Sequence, residues 1–416
     1  MNRFCPQLAS LEARSLMATL AVSPPSVTAH VASTGRSTAS QEVSAILADV
    51  VQKYGVPGMT GAVISGNKVI IGAAGVREAG TQSPVLATDL FHNGSTTKAM
   101  TAALAGVFVD RGLIHWNTTI GQVFPELRGQ VRPEYLNVTL KDLLQQRGGI
   151  IADADATPAL IQEFNSLAAG NPTTGRMAIL KDLLNQPLPN PVGTFHYSNS
   201  GYAVVGTMLE RLTGQSYETL MQRYVFHPLG MTTATFTSAP ASPSAVPTGP
   251  VGHLPDGTPV PDGSPIYQLL DNPLTNPAGT NLRMSIADWS KFIRFELGET
   301  VHGTRLVSRA TLAQLQTPAP GTLANGAPFF SGYASGFGTF PAGFGGRKAI
   351  LGPGLWHNGS DNLWLAVVEA YPGKRFAVLL MANAKSGANG TNFETTAFVE
   401  ARQRLIDAFA PKMSSK

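Results

Sequence analysis

Ser95 and Lys98 lie three positions apart in the run FHNGSTTKAM, just ahead of Met100, Leu104, Val107 and Phe108, which recur at helical spacing. If Ser95 opens that helix, the Lys98 amine falls on the same face one turn on and can reach the hydroxyl. The positive partial charge of a helix start would also favour an oxyanion there. A serine hydroxyl is a poor nucleophile unless a neighbour takes its proton, and this pairing offers one. The spacing alone is weak, because Ser65-Gly66-Asn67-Lys68 has it too, across a hairpin turn where nothing holds the side chains together. The structural alternative for Ser95 is an N-cap followed by an exposed lysine.

Two further stretches carry reactive groups. FHYSNSGYAVVG offers Tyr197, whose phenol can exchange protons, and Asn199, whose amide can orient a substrate carbonyl, ahead of a helix. A loop tyrosine beside a turn-forming asparagine is the bland alternative. WHNGSDNLWLAVV places His357, Asn358 and Gly359 directly ahead of a strand whose exposed edge a substrate could pair with; otherwise it is a turn. The tetrapeptide HNGS thus occurs twice, at Ser95 and at Ser360, in surroundings that share nothing else.

The elements that must position these groups are legible in outline. After a helix over 41–54, GAVISGNKVIIGAAG reads as a hairpin, and LWLAVVEAYPGKRFAVLLMAN repeats the form around Pro372-Gly373. Two such hairpins predict one antiparallel sheet built from both chain ends, flanked by helices, with a last helix over 393–409 covering one face. Tyr202, Val205, Leu209 and Leu212 before Gly214 mark another helix, so the middle of the chain reads as a mostly helical lobe. The expected class is α/β (α+β), with an α/β lobe at 41–92 and 300–416 and a helical lobe at 93–299. The Pro/Ser/Gly-rich residues 238–280 predict a long surface excursion walling a substrate site. Residues 1–40, a basic start with an apolar run broken by Glu12 and Arg14 and then a Ser/Thr/Ala/Pro-rich stretch, read as a leader and flexible linker. The folded domain is therefore 41–416.

Composition narrows the partners. With 416 residues, 43% of them apolar, the chain can bury a large core. A net charge of +4 spread over 13% charged residues, with no Lys/Arg cluster, argues against nucleic acid. No apolar run reaches membrane-spanning length. Cys5 is the single cysteine, so no intramolecular disulfide forms.

In this order, Ser95-x-x-Lys98, Tyr197-x-Asn199 and His357-x-Gly359 resemble the motifs of the serine β-lactamase-like superfamily: class C β-lactamases, D-alanyl-D-alanine carboxypeptidases and family VIII carboxylesterases. The likeness runs from about Gln41 to Phe409. It includes DLFHNGSTTKAMTA, TLKDLLQQRGGI, the long block from PVGTFHYSNSGYAVVG to PLGMTTATF, NPAGTNLRMSIADWSKF and YASGFGTF. The resemblance implies a β-lactamase/transpeptidase-like fold, Ser95 as nucleophile, and Lys98 with Tyr197 as one proton-transfer unit. It also implies substrate contacts from Asn199, His357, Asn358 and Gly359, and an oxyanion hole made by the backbone N–H groups of Ser95 and Ser360. Neither metal nor cofactor is required. Both Lys and Tyr have reference pKa values near 10, so the base is assigned to neither. No Gly-x-Ser-x-Gly elbow of the α/β-hydrolases is present.

The partner implied is a small-molecule ester or acyl amide. β-Lactamases of this kind usually carry Lys where this chain has His357, which is largely neutral at pH 7 and so weakens attraction for a carboxylate. The residue after the motif's Gly is often Gly in the family, whereas this chain has Ser360-Asp361, which adds a nearby negative charge, and Gln146 replaces a common His in the TLKDLLQQRGGI block. These features favour a carboxylesterase on small acyl esters. A β-lactamase, a D-alanyl-D-alanine carboxypeptidase or a D-aminopeptidase-type hydrolase is the alternative, and a catalytically silent penicillin-binding-like module the alternative of another class. The pattern LExRxLxA in the first residues is similar to leaders of exported planctomycete proteins, which implies an extracytoplasmic location, periplasmic or secreted.

Overall fold

The computed structural model describes residues 38–411 apart from 153–154, 237–248, 262–263, 320–331 and 388–389. The leader and all but the end of its linker lie outside the described residues, as does part of the excursion expected at 238–280. The described residues open with a helix at Ala39–Tyr54 (α1), followed by the hairpin of Gly58–Ser65 (β1) and Lys68–Gly75 (β2). A short strand, Leu90–His92 (β3), leads into the helix Thr97–Asp110 (α2), and Asn199–Thr213 (α3) is a second long helix. Then come Arg283–Ser285 (β4), Gly338–Phe340 (β5), Gly354–Gly359 (β6), Leu365–Tyr371 (β7), Phe376–Ala382 (β8) and Ala397–Phe409 (α4).

Both predicted hairpins join one six-stranded antiparallel sheet in the order β2-β1-β8-β7-β6-β5. The two chain ends meet where β1 pairs with β8, Met59 opposite Ala382 and Ser65 opposite Phe376. Strand alternation divides β8 between two cores. Phe376, Val378, Leu380 and Ala382 pack with Val43, Leu47 and Val50 of α1 and with Phe398, Ala401 and Leu405 of α4. Ala377, Leu379 and Met381 face the other core with the apolar side chains of α2 and α3. Fully buried on both faces, β8 has no polar side chain at all, as its sequence FAVLLMA requires.

The helical part is inserted between β3 and β4, which pair with each other, His92 opposite Arg283. In α2 every residue from Thr97 to Phe108 is buried, which suits its run of alanines and small side chains. Ser198 caps α3 by accepting the Gly201 N–H, and Gly214 closes it in the left-handed conformation. No helix among the described residues is long and apolar enough to cross a membrane.

Three sequence expectations change. The last helix begins at Ala397 rather than Phe393, because Phe393–Thr395 forms a 3-10 turn and Thr396 has φ −125°, ψ −86°. Residues Pro265–Leu270 and Pro273–Ala278 are helical turns, and Asn276 and Ala278 are buried, so this end of the expected excursion belongs to the interior. Its Pro-rich composition signals backbone turns, not exposure. The HNG residues at 357–359 lie on a strand themselves, β6, paired with β7 through His357–Val368 and Gly359–Ala366, and the strand expected after them follows as β7. Sheet pairing outweighs the turn preference of Asn and Gly there.

Leu47 is fully buried between α1 and the sheet. Leu47→Ala is expected to lower unfolding free energy by roughly 2–5 kcal/mol, read from urea denaturation, while the site on the opposite face keeps its reactivity.

Candidate active site

Ser95 sits in a 3-10 turn, Gly94–Thr96, that feeds α2, so Lys98 lies one turn on, as the sequence predicted. Lys98 is fully buried. Its Nζ donates to Ser95 Oγ at 2.9 Å, to Asn199 Oδ1 at 2.6 Å and to the Ala278 carbonyl at 2.9 Å. Three acceptors match the three N–H bonds of an ammonium, which is how a buried charge is held without a carboxylate. Nζ also lies 4.9 Å from the centre of the Tyr197 ring. Ser95, Lys98, Tyr197 and Asn199 thus converge from two helix starts and the turn beside each. The Oδ1 of Asn199 is committed to Lys98, so its donor half, Nδ2, is the part suited to a substrate carbonyl.

His357 joins the same cluster from β6. It is buried, and its ring lies 6.2 Å from that of Tyr197. Burial, then the charge of Lys98, hold its pKa down to about 3, so the ring is neutral at pH 7. Nδ1 donates to the Asn358 carbonyl, which leaves Nε2 to accept from Tyr333 Oη at 3.1 Å. Asn358 does not join the cluster: its side chain leaves the other face of β6 and donates to Glu394 at 2.6 Å. Strand β5 pairs with β6 only over Gly354–Trp356, and so stops short of His357–Gly359.

The two HNGS copies meet in space. A Cβ on Gly359 would stand 2.1 Å from the Asn93 carbonyl and 2.7 Å from Ser95 N, and one on Gly94 would stand 2.4 Å from Ser360 N. Only glycine at both positions lets the two backbones abut. The Ser360 hydroxyl is turned away into its own loop, donating to the Trp364 carbonyl and accepting from Asn362 N–H. Asp361 does not add its charge to the site as expected. It is buried, and Oδ1 accepts from the N–H groups of Leu363 and Trp364, both at 2.9 Å. The tight turn between β6 and β7 carries it inward.

Two residues given no role from sequence matter here. Tyr333, the first residue of YASGFGTF, holds His357 and lies 5.7 Å, ring to ring, from Phe195. Gln146 brackets Tyr197: its carbonyl accepts from His196 N–H at 2.8 Å and its side-chain oxygen from Ser198 N–H at 2.9 Å. Gln146 does this from φ +60°, a strained conformation for a non-glycine residue, and strain of this kind gathers at functional sites. Its departure from the family's usual His was the only sequence signal.

The family model described as Beta-lactamase matches residues 43–401. Penicillin-binding protein 4 of Amycolatopsis lactamdurans is 27% identical over 86% of this chain and 90% of its own length. Unguisins hydrolase ungD' of Aspergillus campestris is 24% identical over 84% of this chain, which spans 62% of that longer protein. Among solved structures, a class C beta-lactamase superposes with TM-score 0.69 at 17% identity, covering 91% of this chain and 99% of that one. D-alanine carboxypeptidase AmpC from Burkholderia cenocepacia gives 0.67 at 19% identity, covering 89% and 99%. Those structural likenesses establish a β-lactamase/transpeptidase-like fold. The chain belongs to the beta-lactamase family of serine hydrolases.

Two outcomes follow from this geometry. Gln146→Ala, which frees the loop on both sides of Tyr197, should slow fluorophosphonate labelling of Ser95 by about 10- to 100-fold with little change in melting temperature. For His357, the unfolded chain takes up a proton near pH 6.5 and the native one only near 3, so stability falls as pH drops through this window, by about 1.4 kcal/mol per unit. In His357→Asn the acid side of a stability–pH curve, measured by urea melts, should flatten by that slope.

Proposed function

We propose that this protein is a carboxylesterase that cleaves small, neutral acyl esters through an acyl-enzyme at Ser95. Ser95 Oγ attacks the ester carbonyl and its proton passes to the Lys98/Tyr197 unit. Lys98 rests as an ammonium among three acceptors and favours the phenolate form of Tyr197 beside it. The N–H groups of Ser95 and Ser360 hold the oxyanion. The proton then goes to the departing alkoxide, which leaves as the alcohol. Water repeats the attack on the acyl-enzyme and releases the acid.

The observation that carries the ester reading is the state of His357. A buried, neutral imidazole stands where a fixed cation would attract a substrate carboxylate, and Lys98 beside it is engaged with Ser95, Asn199 and the Ala278 carbonyl. A second reading, hydrolysis of a β-lactam or an acyl-D-amino-acid amide, is favoured by the length of β6 that β5 leaves uncovered, an edge on which an amide backbone can pair. A silent module is disfavoured by the intact Ser95–Lys98–Asn199 hydrogen bonds.

The test is kcat/KM for p-nitrophenyl butyrate and for nitrocefin on one preparation. Ester turnover should be strong and nitrocefin cleavage close to background, with Ser95→Ala lowering kcat on the order of 10⁶-fold. Efficient nitrocefin cleavage that depends on Ser95 would replace this reading with the second one.

A further inference from the structure

Behind the candidate site lies a buried cluster that the proposed chemistry does not use: His92, Asp271, Asp361 and Arg283. His92 ends β3, and its Nδ1 accepts the N–H of Gly94 at 3.1 Å, one residue before Ser95. Its Nε2 meets the Thr280 carbonyl and stands 3.2 Å from Asp271 Oδ1 and 3.9 Å from Asp361 Oδ2. Asp361 in turn fixes the turn that follows Ser360, through the N–H groups of Leu363 and Trp364. One imidazole therefore accepts a hydrogen bond from the turn carrying Ser95 and faces, 3.9 Å away, the carboxylate that holds the turn carrying Ser360.

The protonation of that ring follows from its contacts. Burial opposes a charge on His92, while Asp361 and Asp271 favour one and pull its pKa upward. The Gly94 N–H aimed at Nδ1 at 3.1 Å nevertheless needs that nitrogen bare, so the hydrogen bond decides: the ring holds one proton, on Nε2, beside the Thr280 carbonyl. Burial raises the pKa of Asp361, His92 opposes this and Asp271 adds to it. Imidazole and two carboxylates, all within 4.8 Å, are also a possible ligand set for a divalent cation. A metal would need Nε2 bare, and the bond from Gly94 places the proton there instead.

We propose that His92 is a positioning residue for the oxyanion hole, setting the separation of the Ser95 and Ser360 backbone N–H groups through Gly94 on one side and Asp361 on the other. The inference rests on the reading above, in which those two N–H groups receive the oxyanion. The two turns belong to segments remote in sequence, and Gly94 and Gly359 give them a close contact without side chains. Oxyanion donors must lie within a few tenths of an ångström of their ideal distance, and a misplacement of about 1 Å costs on the order of 100-fold in rate. His92 supplies that constraint.

The experiment uses three variants of the full chain. Asp361→Asn keeps the acceptor for Leu363 and Trp364 but changes what faces His92. His92→Gln keeps a donor toward the carboxylates and loses the acceptor for Gly94, and His92→Asn does the reverse. Each is assayed with p-nitrophenyl butyrate and its thionoester, whose sulfur accepts hydrogen bonds poorly, so that the oxygen-over-sulfur preference reports the oxyanion hole directly. Active sites are counted by fluorophosphonate titration, with Ser95→Ala as control.

The expected result is a fall in kcat of about 10- to 100-fold at nearly constant KM, a matching fall in the oxygen-over-sulfur preference, and undiminished titratable sites. Unchanged kcat overturns the proposal. So does a loss that follows the number of titratable sites and leaves the preference intact, which would make the cluster merely structural. Should the His92 variants fail to fold, Asp361→Asn, nearly isosteric, decides alone. Turnover surviving in Ser95→Ala would instead sink the esterase reading itself, so the two failures are distinguishable.

Discussion

A buried ammonium organises this molecule. Lys98 donates to a hydroxyl, an amide oxygen and a main-chain carbonyl contributed by the turn that feeds α2, by α3 and by the helical turn at Pro273–Ala278. A carboxylate would neutralise the charge more strongly but would also take the proton affinity that the site needs for chemistry. Neutral acceptors keep the ammonium in place and leave its field to act on Tyr197 and His357. Three segments of the inserted helical part are bound together by the same contacts, so the site and its scaffold are one set of interactions.

The electrostatics around it are graded with distance. The Tyr197 ring stands 4.9 Å from its Nζ. His357 is kept neutral by burial and by Lys98 itself, and the rings of Tyr333 and Phe195 continue the cluster. The acids Asp271 and Asp361 are buried beside His92, with Asp271 Oδ1 at 3.2 Å and Asp361 Oδ2 at 3.9 Å from its Nε2. Negative charge is thus kept away from the place where an oxyanion would form, although the sequence places Asp361 immediately after Ser360.

What the sequence made legible was periodic or motif-bound. The hairpins at Gly58–Gly75 and Leu365–Ala382 announce themselves by apolar alternation and turn residues, and they join in one sheet. Ser95, Lys98, Tyr197 and Asn199 stand out by motif spacing, and the structure brings them together. What stayed hidden depends on direction: a one-dimensional string does not say that Asp361 turns inward, that Asn358 faces Glu394, or that Gln146 reaches around both sides of Tyr197. Residues 265–280 misled for a related reason, since proline and serine report local backbone geometry and leave burial undetermined. The repeated HNGS looked like coincidence in the string, and in three dimensions its two glycines are in contact.

The pairing of β1 with β8 has a consequence for how the chain acquires its structure. The first hairpin is made long before its inner neighbour β8, and α1 cannot be sandwiched until α4 has followed. Contacts this distant in sequence slow folding, and the edge of β1 stays unpaired until β8 is made. An exposed strand edge of this kind can pair with a neighbouring chain in the interval.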